Sequence, residues 1–286
     1  MQSSTFSAHT ITDPHQPGFD PAEYSRFKYG DDRPAADFGK YLAKKFIEEL
    51  QRDRYDGTQL VVLSSPYSFL PTATFAMKRH FVRHLNRWLA RHHFIETQEA
   101  KIHRTITYKE DYGALDAEQR LQLISNDSFE LDAEFLQGKI LVFLDDIRIT
   151  GSHERMILRT ARKYALTNRA YLGYFAILEN REIHPRYENY LNYYAISELN
   201  DLDDLVEQDY FRINTRCAKF ILNAELSAFD EFIDRRSESF KQLLLDSAIG
   251  NGYHRIEAYS ANFKKLERLV EKMEFAGFDA AGSADS

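Results

Sequence analysis

Residues 139–153 read KILVFLDDIRITGSH. Ile140 to Leu144 are five apolar residues in succession, the pattern of a strand buried on both faces, as in a parallel sheet. Two carboxylates, Asp145 and Asp146, follow at once. Thr150, Gly151, Ser152 and His153 come next and lead into a helix-like run over 154–164. Strand, short loop and helix make one α/β unit, and ligands of open α/β sheets bind at the carboxyl ends of the strands. The unpaired N–H groups of a helix start suit a phosphate, and a glycine lets the chain come close to it. The carboxylates suit sugar hydroxyls. A ligand with a diol at one end and a phosphate at the other fits both, and ribose 5-phosphate is such a ligand. Turn aspartates and N-cap hydroxyls are each ordinary alone; their conjunction after a continuous apolar strand is specific.

Four apolar residues, two acidic ones, three variable ones and then Thr-Gly resemble the loop that binds 5-phosphoribosyl 1-diphosphate (PRPP) in the type I phosphoribosyltransferases. The resemblance, which covers about residues 40–178, implies an α/β fold, a parallel sheet flanked by helices; the mainly helical C-terminal region is read from its spacing below. It implies that Asp145 and Asp146 hold the ribose 2′ and 3′ hydroxyls. It implies that Ile149, Thr150, Gly151, Ser152 and His153 wrap the 5′-phosphate. Two positions depart from the family pattern: Ile149 stands where a hydroxyl or acidic residue is common, and His153 where threonine is usual. The resemblance also implies a pyrophosphate loop after an early strand, and Ser64, Ser65, Tyr67 and Ser68 occupy that place. A basic lid is implied between the early helix and the PRPP loop. Arg104 is the candidate catalytic cation there, with Lys109 behind it. Magnesium is implied as the cofactor, bound mainly through PRPP oxygens, with no dedicated protein cage. The order of basic loop, LDAEQRLQLI (115–124), strand and Gly138-Lys139 is similar to the ComF-like branch.

The 286 residues, 43% of them hydrophobic, are enough for a real core. A net charge of −7 argues against a general nucleic-acid or membrane-surface binder. One cysteine, Cys217, excludes an intramolecular disulfide and suits the reducing cytoplasm. No apolar run approaches the length of a membrane span. No secretory signal is expected, and a homodimer stays open.

Residues 1–21 are polar and read as a mobile arm. Phe38, Leu42, Phe46 and Leu50 recur every fourth residue and predict a helix entered near Pro34. Residues 59–64 read as a second buried strand, 72–93 as a long helix with a solvated basic face, and 116–125 as a short helix. After 170–178, a further strand, the character changes. Tyr187, Tyr190, Tyr193 and Tyr194 cluster, and 216–236, 239–249 and 256–273 have helical spacing, with Gly250-Asn251-Gly252 as a break. This divides the chain into a core over 22–197, a helical region over 198–274 that forms a hood or packing extension, and a frayed tail over 275–286. No Gly/Ser/Pro-rich linker separates the halves. Tyr190, Tyr193 and Tyr194 are expected to touch both.

Three functional classes follow. The first is a magnesium-dependent phosphoribosyltransferase that moves phosphoribosyl to a nitrogen acceptor, a nucleobase or related heterocycle, and releases pyrophosphate. The second is a PRPP or nucleotide sensor that has lost the chemistry. The third is an interaction protein using the helical half. No residue identifies the acceptor.

Overall fold

A computed structural model describes the backbone of residues 1–104 and 129–282, and the side chains of 1–102 and 131–273. The N-terminal half runs β1 (Gln2–Ile11), α1 (Pro21–Lys28), α2 (Asp32–Arg52), β2 (Leu60–Ser64), α3 (Ala73–Arg91), β3 (Gln98–Glu99), β4 (His103–Arg104) and β5 (Phe129–Glu130). It continues through α4 (Ala133–Leu136), β6 (Ile140–Arg148), α5 (Ser152–Lys163), β7 (Arg169–Leu178) and α6 (Tyr187–Asn192). One sheet has the order β1-β7-β6-β2-β3, and every pair in it is parallel. β4 and β5 form a separate antiparallel pair.

Both faces of the sheet are covered, which explains the unbroken apolar runs. Leu60, Val62, Ile140, Val142 and Leu144 face the layer that holds Leu42 and Phe46 of α2 and Phe81 of α3. Val61, Leu63, Leu141 and Phe143 face the layer that holds Met156 and Ala161 of α5. Gly39 lets α2 lie close on α3: a Cβ there would collide with the Met77 carbonyl oxygen.

The expected mobile arm is a correction. Residues 2–11 form edge strand β1, in register with β7 from Gln2↔Arg169 to Ile11↔Leu178. Only Phe6 and Ile11 of this strand are buried. Its polar composition reflects a strand with one neighbour and a wet outer side. Phe6 packs over Gly173, where a Cβ would collide with its ring.

The C-terminal half is α7 (Asp203–Val206), α8 (Thr215–Leu222), α9 (Leu226–Asp234), α10 (Glu238–Gly250) and α11 (Ser260–Gly282). The segment 216–236 is thus two helices, and the frayed tail is corrected to a helix that continues through Gly282. The predicted helix over 116–125, Lys109 and positions 283–286 lie outside the described residues. The basic face of α3 is also only partly solvated. Lys78 is buried against Glu99 at 2.7 Å, and His80 meets Asp32 at 3.0 Å.

The halves share a core. Tyr29 and Leu70, from the first half, are buried in the layer built by α8 to α11. Asp31 bridges Phe211 in antiparallel fashion, Arg212 N–H donates to the Gly30 carbonyl at 2.9 Å, and Asn214 Nδ2 donates to the Lys28 carbonyl at 3.1 Å. Tyr193 meets Tyr29 on one side and Phe220 on the other, as its position predicts. Tyr190 and Tyr194, expected to be buried, are 51% and 49% exposed, and the Tyr190 ring lies against those of Tyr187 and Tyr194. Tyr187 takes the buried place, with its hydroxyl donating to the Pro14 carbonyl at 2.8 Å.

Candidate functional site

β2 and β6 are neighbours. The chain leaves β2 through α3 toward β3, and leaves β6 through α5 toward β7, on the opposite side and the opposite face. Such a reversal opens a crevice at the strands' carboxyl ends. A cleft of about 660 Å³ lies there, with its other wall from the helical half. Ser65, Tyr67, Ser68, Asp145, Asp146 and His153 line it from the sheet side, and Arg216, Lys219 and Phe220 from α8.

Strict alternation would send neighbouring strand residues to opposite faces. Leu144 and Ile147, three apart, nevertheless share one apolar layer. The alternation breaks across the two aspartates, and both line the one cleft. Asp145 is held from three directions. Ser65 Oγ donates to Oδ1 at 2.8 Å, the Asp146 N–H donates to the same oxygen at 3.0 Å, and His153 Nδ1 lies 2.8 Å from Oδ2. Burial would push this carboxyl up. The charge and hydrogen bond of His153, with that of Ser65, outweigh it and hold the group below the usual carboxylate range.

Asp146 is buried and ion-paired to the equally buried Lys28, and Tyr24 donates to the same oxygen at 3.1 Å. Tyr24 and Lys28 stand four apart on α1, hence on one helix face. The sequence pairs neither of them with Asp146, because that contact spans more than a hundred residues; the i, i+4 spacing of a hydroxyl and a cation says only that the two share a helix face.

The turn into α5 has Gly151 at φ +69°, left-handed as a glycine allows. Thr150 Oγ1 and Ser152 Oγ lie 2.7 Å apart. Arg155 donates to the Thr150 carbonyl at 2.8 Å and to Ser152 Oγ at 2.9 Å. Arg148 also comes close to the glycine, 3.5 Å from where a Cβ would stand against 3.6 Å for Arg155, and pairs with Glu154 at 2.7 Å. The sequence analysis assigns no role to these two arginines beside the glycine. The Ile149 side chain packs against the α2–α3 layer, and of residues 149–153 it is His153 that lines the cleft.

Of the proposed pyrophosphate residues, Ser65, Tyr67 and Ser68 reach the main cleft, and Ser64, at the end of β2, lines with Ser65 and Tyr67 a smaller pocket of about 210 Å³ that also holds Lys78, Glu99 and Lys101. Lys101 donates to the Ser68 carbonyl at 2.7 Å and lies over the Tyr67 ring. Arg104 has its backbone in β4, opposite Phe129, and its side chain lies outside the described residues.

The family model described as PRTase ComF-like matches residues 2–266. The chain belongs to that ComF-like phosphoribosyltransferase family. Among solved structures, a hypoxanthine phosphoribosyltransferase from Staphylococcus aureus is similar over 50% of this chain and 73% of its own. That similarity has 10% identity and a TM-score of 0.32. No curated protein matches. The family match spans both the sheet and the helical half of this ComF-like chain, so the cleft between them lies wholly inside it. Among the described residues, no helix is long and apolar enough to cross a membrane.

The buried tyrosines of this ComF-like chain make an alkaline signature. Burial, then the Asp146 charge, pushes the Tyr24 hydroxyl well above its ordinary range, and burial does the same to Tyr174 and Tyr253. A folded-state value above the unfolded one gives stability that is full below the unfolded value, about 10, and lost as pH rises past it. Stability measured by urea unfolding should therefore decline above about pH 10. Tyrosinate absorbance should lag until the chain unfolds. Absorbance from all 17 tyrosines that followed free tyrosine would refute this burial.

Proposed function

We propose that the protein binds PRPP across this cleft and transfers its phosphoribosyl group to a ring nitrogen of an acceptor, releasing pyrophosphate. One observation carries the reading: two adjacent carboxylates at the switch point open into one cleft, ahead of a left-handed glycine turn that starts a helix. In this scheme Asp145 and Asp146 accept from the ribose hydroxyls, and the amides and hydroxyls of 149–153 hold the 5′-phosphate. Ser65, Tyr67 and Ser68 face the diphosphate, with Arg104 or Lys101 as the cation that meets its growing charge. Breaking the anomeric bond leaves positive charge on the sugar, so positioning and exclusion of water do most of the work.

Magnesium fits as an ion that arrives on the diphosphate. The acidic side chains lining the cleft are Asp145, Asp146, Glu188, Glu198 and Glu225, with several hydroxyls, and among the described residues no three His, Cys, Asp or Glu side chains group as a metal cage. When bound, the ion would neutralise diphosphate charge.

A second reading, a PRPP sensor without turnover, is favoured by one specific feature. Lys28 and Tyr24 already occupy Asp146, so a ribose must displace or share those partners. Calorimetry with magnesium and PRPP, followed by pyrophosphate release over a panel of purines, pyrimidines and related heterocycles, separates the two. Binding with release is the expected result. Binding without release for any acceptor supports the sensor, and no binding of PRPP overturns both.

A further inference from the structure

The helix break Gly250-Asn251-Gly252 has a use that a break alone does not require. Asn251 is 8% exposed and lines the main cleft. Its Oδ1 accepts from two consecutive backbone N–H groups, Phe69 at 3.0 Å and Leu70 at 2.8 Å. Its Nδ2 donates to the Tyr253 hydroxyl at 2.8 Å, which fixes the orientation of the amide. Gly250 leaves room for the Phe69 ring, and a Cβ there would collide with it. Gly252, at φ +72°, turns the chain immediately after Asn251. All three residues of the break thus meet, or shape the chain around, the loop after β2. Thr215, at the start of α8, holds Leu70 from its carbonyl side and the following residue as well: its Oγ1 donates to the Leu70 carbonyl at 2.9 Å and its N–H to the Pro71 carbonyl at 2.9 Å.

We infer that Asn251 is a positioning residue for the diphosphate-binding loop, so that the helical half sets the geometry of a site whose ligand groups lie on the sheet half. This rests on the PRPP reading above. A buried amide that satisfies two adjacent backbone donors fixes the direction of that peptide segment. Residues 65–68 lie immediately before it and line the cleft, so their placement follows from where 69 and 70 are held. Asp145 and the 5′-phosphate turn belong to β6 and the start of α5; Asn251 bonds to neither, and the loop reaches Asp145 through Ser65, four residues before Phe69.

The test is a split between two ligands. Asn251→Leu removes both acceptor bonds and should weaken magnesium–PRPP binding by about tenfold. Ribose 5-phosphate, which lacks the diphosphate, should bind within about twofold of the native protein. Asn251→Asp keeps the acceptor and should restore PRPP binding. Hydrogen exchange over 65–70 should quicken in Asn251→Leu and not in Asn251→Asp. If Asn251→Leu fails to fold, Gly250→Ala carries the test. It moves the Phe69 ring while favouring the helix, so it should weaken PRPP alone and leave the melting temperature unchanged or raised. Equal losses for the two ligands, or undiminished PRPP binding with loop exchange unchanged, overturns the inference while the site assignment stands. Native protein that binds neither ligand overturns the assignment, and this inference with it.

Discussion

Asp145→Asn with Asp146→Asn should abolish PRPP binding by calorimetry. Hydrogen bonds to a charged acceptor contribute about 1.5–3 kcal/mol each, so losing two removes roughly two to four orders of magnitude in affinity. The double variant has a second consequence, because Asp146 is the counter-ion of buried Lys28. Leaving a buried ammonium unpaired costs about 3–5 kcal/mol, and the melting temperature should fall with the affinity. A third substitution separates these effects. Lys28→Met in the same background removes the orphan charge and should recover stability without recovering PRPP. Undiminished PRPP binding in a folded double variant would remove the carboxylates from the site. Recovery of binding on adding Lys28→Met would show that the aspartates act only through the fold.

The same residues show what a sequence can and cannot carry. The strand at 140–144, the paired aspartates and Thr150-Gly151 were legible because their signal is local: an apolar run, a charge step and a turn residue in contiguous order. The strand extends to Arg148, so the aspartates lie inside its pairing and not in a following loop. β1 was illegible because an edge strand needs few apolar residues, and two sufficed. Lys28 and Asn251 were illegible for a different reason. Each reaches a partner well over a hundred residues away in sequence, and composition near Lys28 or near a Gly-Asn-Gly break does not encode where a distant strand or loop will stop. The tyrosine cluster is only half inward: Tyr187 is buried and Tyr193 partly so, whereas Tyr190 and Tyr194, expected to be buried, are exposed. The short helix α6 turns Tyr187 inward and Tyr190 outward, a phase that the tyrosine count could not supply.

Truncation after Ser197 should leave a core that aggregates and does not bind PRPP. The argument is the inventory of what crosses the junction. Tyr29 is fully buried and Leu70 nearly so, both in the layer that the later helices complete. Each such side chain returned to water costs about 1.5–3 kcal/mol, and the exposed surface is contiguous with the cleft. The backbone of 28–32 loses Asn214, Arg212 and the Phe211 bridge, and the backbone of 69–71 loses Asn251 and Thr215. Those two stretches flank the site, one carrying Lys28 and the other continuing the loop of Ser65. Gly30→Ala reaches the same junction through one atom. The residue sits at φ +102°, which a side chain resists, and the added Cβ would collide with the Arg212 carbonyl oxygen. It should lower the melting temperature of the whole chain in one cooperative step. Two transitions in the native protein, or a 1–197 fragment that is soluble, melts cooperatively and binds PRPP, would show that the sheet half is self-sufficient. A single transition that moves with Gly30→Ala means that the helical half is a wall of the site, because the contacts that keep it docked are those that hold α1 and the loop after β2 in place.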